Sequence, residues 1–133
     1  MRAVLSVLAF LWALPITAAG FLLAVLGGCR LLGLREGALD FLAPRRGPWA
    51  WFFARRWAAV NLGDVIVYGT PEEAADPVTR AHEREHQRQV RRLGLLHLVL
   101  YFVICPLACW AYGVGVYRDQ PAELAARRAA GQE

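Results

Sequence analysis

The 133-residue sequence contains no lysine, so all fifteen basic residues are arginines, and the formal net charge is +4. An arginine-only basic set is explained more simply by genome composition than by chemistry. The arginines are interleaved with acidic residues, and no nucleic-acid recognition motif accompanies them. We therefore expect no nucleic-acid partner. The length suits one domain and is too short for two ordinary ones.

Cysteine is also scarce. The three cysteines, Cys29, Cys105 and Cys109, are odd in number and lack Cys-x-x-Cys spacing. Cys105 and Cys109 would share a helix face, but two thiols alone do not make a structural zinc site. All three lie in apolar stretches, where they are better interpreted as small packing residues. We expect neither a disulfide framework nor a cysteine-based metal site.

Charged residues are missing from long stretches of the chain. Hydrophobic residues make up 57% of the sequence and are concentrated in residues 4–34 and 93–117. Residues 4–26 carry no charge, and about 20 apolar residues suffice to span a bilayer. We predict a membrane anchor helix in residues 1–34. A cleaved signal peptide with its cleavage site at Thr17-Ala18-Ala19 is the alternative, although the apolar run continues beyond that site.

The region that follows is rich in arginine and aromatic residues. In residues 35–58, tryptophans and arginines cluster as they do at membrane interfaces, which indicates an interfacial connector. An ordinary loop leading to a short buried helix is the alternative. The one β signal that we identify comes next, in residues 58–68, which are rich in β-branched and aromatic residues. It predicts a short strand, or a hairpin that turns near Gly63.

Helix signals dominate the remainder. Asp76-Pro77 indicates a helix start, with Asp76 as N-cap, and Gly94 is a natural C-cap. Pro121 starts a final helix. The predicted fold class is therefore mainly α with a minor β element. Its parts, in chain order, are a transmembrane anchor helix (1–34), the connector (35–58), a metal-binding domain (59–128) that contains an apolar helical hairpin (95–117), and a tail (129–133).

The chemistry of the chain is concentrated in one motif. Residues 82–86, His-Glu-Arg-Glu-His, fit the pattern H-E-x-x-H. Histidines four residues apart lie on one helix face, so His82 and His86 can bind one Zn²⁺. Glu83 is rotated by about 100° from His82 and can act as general base on a water molecule that the metal activates. A solvated, charged helix with incidental histidines is the alternative.

An open catalytic zinc site needs a third protein ligand. His97 is one candidate, but the extended pattern H-E-x-x-H-x-x-G-x-x-H would place that histidine where this chain has Arg92. His97 is better interpreted as a polar residue of an apolar helix that lines the site. Glu123 is the stronger candidate, because it opens the last helix as Glu-x-x-Ala after a proline, and zinc peptidases with a glutamate as third ligand commonly carry it in this context on a later helix. A charged residue of an amphipathic C-terminal helix is the alternative.

The stretch from residue 82 to 126 resembles a group of small bacterial proteins of the zincin type. Their pattern runs H-E-x-x-H-x-x-Q, then Leu-Gly, an apolar segment with a tyrosine, and a tyrosine ahead of Pro-x-Glu-x-x-Ala. The matching residues are His82, Glu83, His86, Gln89, Leu93-Gly94, Tyr101, Tyr117, Pro121, Glu123 and Ala126. With the preceding strand, the resemblance covers residues 59–128. The chain departs from the pattern at Arg84-Glu85, where an apolar residue is common, and at Gln120, where asparagine is common.

The resemblance implies a gluzincin-like fold in which His82, His86 and Glu123 hold one zinc ion and Glu83 is the general base. Other polar residues near this set could stabilise an oxyanion or support the ligands. These candidates are His97, Tyr101, Tyr112 and Tyr117.

The predicted ligand set depends on how residues 93–117 are arranged. The 25 residues of this segment are long enough to span a membrane, which would separate Glu123 from the histidines. A bend at Pro106, or at Gly113 to Gly115, would instead form a hairpin that returns Glu123 to them. We expect the hairpin. If the segment spans, the third ligand would come from Asp64, Glu72, Glu73 or Asp76.

The predicted function is a membrane-associated zinc peptidase, with the lipid bilayer and an unidentified peptide as partners. The substrate backbone would add to the strand in residues 60–68. A membrane scaffold with a structural or degenerate metal site is one alternative, and a hydrolase of a non-peptide bond is another. Arginines are more numerous after the first apolar segment than before it, so the positive-inside rule predicts a bacterial inner-membrane protein whose site faces the cytoplasm. A cleaved signal peptide would reverse this side.

Overall fold

The computed structural model describes residues 2–54 and 57–132, and it is mainly helical with one four-stranded sheet. This confirms the predicted fold class at a coarse level. The elements are α1 (Arg2–Leu26), β1 (Arg30–Arg35), β2 (Ala38–Leu42), α2 (Pro48–Phe53), β3 (Ala59–Leu62), β4 (Val65–Tyr68), α3 (Pro71–Ala75), α4 (Pro77–Leu93), α5 (Leu95–Val99), a π-helical turn (Leu100–Ile104), α6 (Cys105–Ala111) and α7 (Pro121–Ala129).

Two strands occur where none was predicted. β1 and β2 form an antiparallel hairpin, so the first helix ends at Leu26 rather than at residue 34, and the predicted connector 35–58 begins within the sheet. Glu36 and Gly37 turn the hairpin with φ values of 50° and 78°, and positive φ at both positions is typical of a type I′ turn. The interpretation of a single β signal was wrong because the leucines of β1 continue the apolar run of α1.

The sheet has the strand order β1-β2-β4-β3, so β1 and β3 form its edges. β2 and β4 pair in parallel, whereas β3 and β4 form the predicted hairpin around Gly63. All four residues of β4 are buried. Val65 and Val67 pack in a cluster with α1, whereas Ile66 and Tyr68 pack in a second cluster with α3. The sheet is therefore covered by helices on both faces at its centre.

α1 packs along this domain through a face of small residues. The buried positions on this face are Ala13, Ile16, Gly20 and Ala24. A Cβ atom added at Gly20 would lie 2.5 Å from the Cβ of Leu62, so glycine allows α1 to approach β3 closely. The Thr17 hydroxyl accepts a hydrogen bond from the backbone N–H of Asp64 at 3.0 Å. The opposite face exposes large apolar side chains, and Val7–Leu26 is long and apolar enough to cross a membrane.

α4 begins and ends where the sequence indicated. The Asp76 carboxylate accepts hydrogen bonds from the backbone N–H groups of Val78 (3.2 Å) and Thr79 (2.9 Å), which makes it the N-cap. Gly94, with φ 54°, ends the helix. A positive φ is tolerated best by glycine, so the C-cap prediction is also confirmed.

The second apolar segment is not a helical hairpin. The helical segment Leu95–Ala111 is bent by 116° relative to α4. Pro106 lies within it and not at a bend, because the preceding π-helical turn accommodates the missing N–H group and the pyrrolidine ring. The chain turns after Ala111, near Gly113 (φ 67°), and residues 112–120 then lead to α7 without forming a helix. The predicted bend at Gly113 to Gly115 is therefore present and returns α7 to α4, whereas the predicted hairpin 95–117 is corrected because its returning arm is not helical.

Candidate metal centre

Polar contacts on one side of α4 hold this helix against the sheet. Arg84 pairs with the fully buried Asp40 of β2, with 3.2 Å between Nη2 and Oδ1. The Gln87 amide donates to Oδ1 of Asp64 at 2.7 Å and to the carbonyl oxygen of Gly37 at 3.0 Å. Arg84 occupies a position that is often apolar in the zincin pattern. The ion pair with Asp40 on β2 compensates for the burial of the Arg84 charge at this position.

The opposite side of α4 faces α7 and brings three potential ligand atoms together. Nε2 of His82 lies 3.2 Å from Nε2 of His86. The Glu123 carboxylate approaches both rings, with Oε2 at 3.4 Å from His82 Nε2 and Oε1 at 3.3 Å from His86 Nε2. The Glu123 side chain is only 3% exposed. These three residues form the one group of potential metal ligands found among the described residues.

The spacing of these atoms fits a tetrahedral zinc ion. Zn–N and Zn–O distances of about 2.0–2.1 Å imply ligand atoms about 3.3–3.4 Å apart, because the edge of a tetrahedron is about 1.63 times its centre-to-vertex distance. The two Nε2 atoms are 3.2 Å apart, and the Glu123 carboxylate places a different oxygen near each of them, Oε1 at 3.3 Å from His86 and Oε2 at 3.4 Å from His82, all near this edge length. One ligand atom from each of the three residues lies within 4.8 Å of the other two. Two imidazoles and one carboxylate are also a donor set of catalytic zinc sites. The residues present therefore fit a zinc ion.

Hydrogen bonds orient the two imidazole rings for this role. Nδ1 of His86 lies 3.1 Å from Oε1 of Gln89, and Nδ1 of His82 lies 3.2 Å from Oε1 of Gln132. An amide oxygen can only accept, so each Nδ1 donates its proton to a glutamine, which leaves Nε2 of each ring as the atom that would bind a metal. The Gln89 amide nitrogen also donates to the carbonyl oxygen of Ala122 at 3.0 Å. Gln89 thereby links the ligand His86 on α4 to the residue before Glu123.

The carboxylates of the site have different environments. Burial acts to raise the pKa of Glu123, but hydrogen bonds with His82, His86 and Tyr101 outweigh it and leave this pKa well below its usual range. Glu83 lacks so complete a set of partners, and its burial raises its pKa against the opposing effect of the two imidazoles. Glu123 is therefore suited to binding a cation, and Glu83 to holding a proton.

Two cavities meet at this cluster. The first has a volume of about 590 Å³ and a mostly apolar lining drawn from α1, α2, β3, the helix Leu95–Ala111 and the segment 112–120. The second, about 530 Å³, is more polar and is lined by α4, α7 and the segment before β3. Both are lined by Trp57, Ala59, His82, Glu83, Tyr117 and Glu123. The cluster therefore has an apolar approach and a polar one.

The other candidates from the sequence have separate positions. Tyr101 donates a hydrogen bond to Glu123 and so supports a ligand. Tyr117 lines both cavities, and its ring centroid is 6.5 Å from that of Tyr101. His97 is buried beside Tyr101 and lines the apolar cavity without joining the ligand cluster. Tyr112 is 84% exposed and does not line either cavity.

The alternative third ligands are engaged elsewhere. Glu73 closes a capping box with Thr70 at the start of α3, and Asp76 caps α4. Asp64 accepts hydrogen bonds from Gln87 and Arg91, and Glu72 is exposed on α3. None of them belongs to the described ligand cluster. Nothing in the sequence indicated Gln132 as a partner of His82, because contacts of C-terminal tails follow no local pattern.

Comparisons of this chain with family models, with curated proteins and with solved structures find no match.

Proposed function

We propose that the chain is a membrane-associated, zinc-dependent peptidase of gluzincin-like type, with His82, His86 and Glu123 as ligands. The observation that carries the proposal is the convergence of the three side chains: the two Nε2 atoms lie 3.2 Å apart, and the Glu123 carboxylate places one oxygen 3.3–3.4 Å from each of them, near the edge length of a zinc tetrahedron. A bound Zn²⁺ would supply Lewis acidity and lower the pKa of a water molecule. The motif H-E-x-x-H and the resemblance to zincins support the same assignment.

Glu83 is the proposed general base. It follows the ligand His82 directly on α4, lines both cavities, and is absent from the ligand cluster. Its burial raises its pKa, so it can take a proton from water and later deliver that proton to the leaving amine. Tyr117 is the proposed oxyanion donor because it lines both cavities, whereas Tyr101 lines only the apolar one.

The substrate backbone is proposed to lie along β3. This strand is an edge of the described sheet, and all of its residues line the apolar cavity. An extended peptide can add to such an edge through main-chain hydrogen bonds. We also propose that α1 anchors the protein in the bacterial inner membrane through its exposed apolar face, with the metal centre towards the cytoplasm.

The proposal is tested by zinc content and by hydrolysis. The full chain purified in detergent should hold about one zinc per chain, and His82→Ala should lose it, whereas His97→Gln, a change at the histidine outside the cluster, should retain it. Glu83→Gln should keep zinc but lose hydrolysis of peptides. Zinc that survives His82→Ala would refute the site. Bound zinc with no hydrolysis that depends on Glu83 would favour the scaffold alternative.

A further inference from the structure

The apolar cavity opens at a surface formed by two apolar elements. Leu23 of α1 is 55% exposed and Phe102 is 67% exposed, yet both line the cavity. Val116, at 45% exposure, lines it from the segment that precedes α7. Residues that are exposed and also line the cavity lie at its opening, which we call the mouth. The mouth is thus bordered by side chains that suit contact with lipid hydrocarbon better than contact with water.

The polar cleft on the other side of the cluster has a different character. Among the described residues that line this cleft and not the apolar cavity, two are arginines, Arg118 and Arg127, and none is acidic. Thr79 and Gln132 add polar groups. Glu83 and Glu123 line the cleft where it meets the ligand cluster, so the part of the cleft lined by Arg118 and Arg127 is the part that favours an anionic group in its occupant.

The metal centre lies at the boundary between these two spaces. His82, Glu83 and Glu123 line both of them, and Ala59 of β3 does so as well. A peptide that lies along β3 and passes the cluster would therefore have one part in the apolar cavity and its next part in the arginine-lined cleft. The peptide would therefore need an apolar segment on one side of the bond nearest the metal ligands and an anionic segment on the other side.

We propose that the substrate is a membrane-inserted peptide whose cleaved bond joins an apolar segment to an acidic one, at the point where the chain leaves the bilayer. This inference rests on the proposed peptidase function. The apolar segment enters through the mouth at Leu23 and Phe102, and the acidic segment lies beside Arg118 and Arg127. The free volume of the apolar cavity, about 590 Å³, accommodates several side chains of such a segment.

The test uses the full chain reconstituted in phosphatidylcholine vesicles with synthetic peptide probes. One probe joins an apolar segment of about 20 residues to a run of glutamates. A second replaces the glutamates by arginines, and a third keeps the glutamates but lacks the apolar segment. Each is made in both chain directions. We expect cleavage at the junction of the first probe, about tenfold or more above the other two, since each loses one of the two complementary interactions.

Two variants with matched controls assign this preference to the cavities. Leu23→Trp should fill the mouth and slow cleavage of the first probe, whereas Leu22→Trp, at an equally exposed position of α1 that does not line the cavity, should not. Arg118→Glu should shift the preference towards the arginine probe. Arg92→Glu changes the net charge equally at an exposed position outside the polar cleft, and it should leave the preference unchanged.

The outcomes separate this inference from the proposed function. Equal, Glu83-dependent cleavage of all three probes would overturn the substrate assignment and leave the peptidase intact. Release of fatty acid from the vesicle lipid, without peptide cleavage, would overturn it in favour of a lipid substrate. No hydrolysis at all by a zinc-loaded protein would overturn both proposals.

Discussion

Gln87 and Gln89 are two residues apart on α4 and serve its two sides. Gln87 is buried against the sheet, where it donates to Asp64 and to the carbonyl of Gly37. Gln89 faces the cluster of His82, His86 and Glu123, where its side chain bonds to Nδ1 of His86 and to the backbone of α7. Glutamine therefore connects α4 to the sheet on one side of the helix and orients a candidate metal ligand on the other side.

The different partners on the two sides of α4 explain why the buried residues of this helix are mostly polar. Five of its residues are buried (Glu83, Arg84, His86, Gln87 and Val90), and only the valine is apolar. A buried helix face is ordinarily apolar, which is why so charged a sequence suggested a solvated surface. On the sheet side, Arg84 and Gln87 each bond to partners that are distant in the sequence. On the side that faces α7, the two imidazoles of α4 and the Glu123 carboxylate come together between the two helices.

The largest effect expected on the sheet side comes from breaking the buried ion pair. Asp40→Leu would remove the buried carboxylate from the Arg84 guanidinium, whose side chain is 5% exposed, and would leave the exposed Glu36 carboxylate, 3.5 Å from Nε, as its remaining acidic partner. Loss of one partner of a buried pair costs about 3–5 kcal/mol. We expect a decrease of that order in the free energy of unfolding, measured by denaturant titration of the zinc-free protein in detergent.

The double variant Asp40→Leu with Arg84→Leu is the control for this change. Replacing both partners by apolar residues removes the uncompensated charge, so most of the lost stability should return. If Asp40→Leu alone were as stable as the unchanged chain, the pair would not be what fixes α4 to β2.

On the centre side, the expected effect depends on zinc. Glu123→Gln keeps the volume of the side chain but removes its charge and replaces one accepting oxygen by a donor, so the zinc-free protein should lose some stability, because the fold stabilises the ionised carboxylate. The stabilisation by added zinc, about 2.7 kcal/mol at one hundred times the dissociation constant, should disappear. Calorimetric titration with zinc provides the direct measurement. Equal loss of stability with and without zinc would mean that Glu123 belongs to the fold rather than to a metal site.

Local signals in the sequence predicted the parts of the fold that depend on near neighbours. The N-cap Asp76, the C-cap Gly94 and the two histidines one turn apart each rest on interactions within a few residues. Glu123 was predicted by its motif and its context, and the structure brings it to both histidines. The proposed chemistry of these residues stays a prediction that the zinc measurements test.

The features that the sequence did not predict depend on contacts between residues far apart in the chain, or on elements whose sequence patterns run into one another. Arg84 and Asp40 are 44 residues apart, and neither carries a local sign of its partner. β1 was hidden because its apolar residues extend those of α1, although Glu36-Gly37 was an available turn signal. Pro106 suggested a bend, but the preceding π-helical turn accommodates the proline within a helix. No sequence pattern predicts such a turn.

The smallest and most selective effect is expected from the two glutamines themselves. Gln89→Ala should lower zinc affinity about 10- to 100-fold, because it releases the Nδ1 atom of a ligand, with little change in the stability of the zinc-free protein. Gln87→Ala should lower that stability by about 1–3 kcal/mol, because it removes a buried donor from Asp64, with little change in zinc affinity. Each variant is the other's control, measured by zinc titration and by denaturant unfolding. If both variants changed both quantities in proportion, α4 would act as one cooperative unit and its two sides would not be separable.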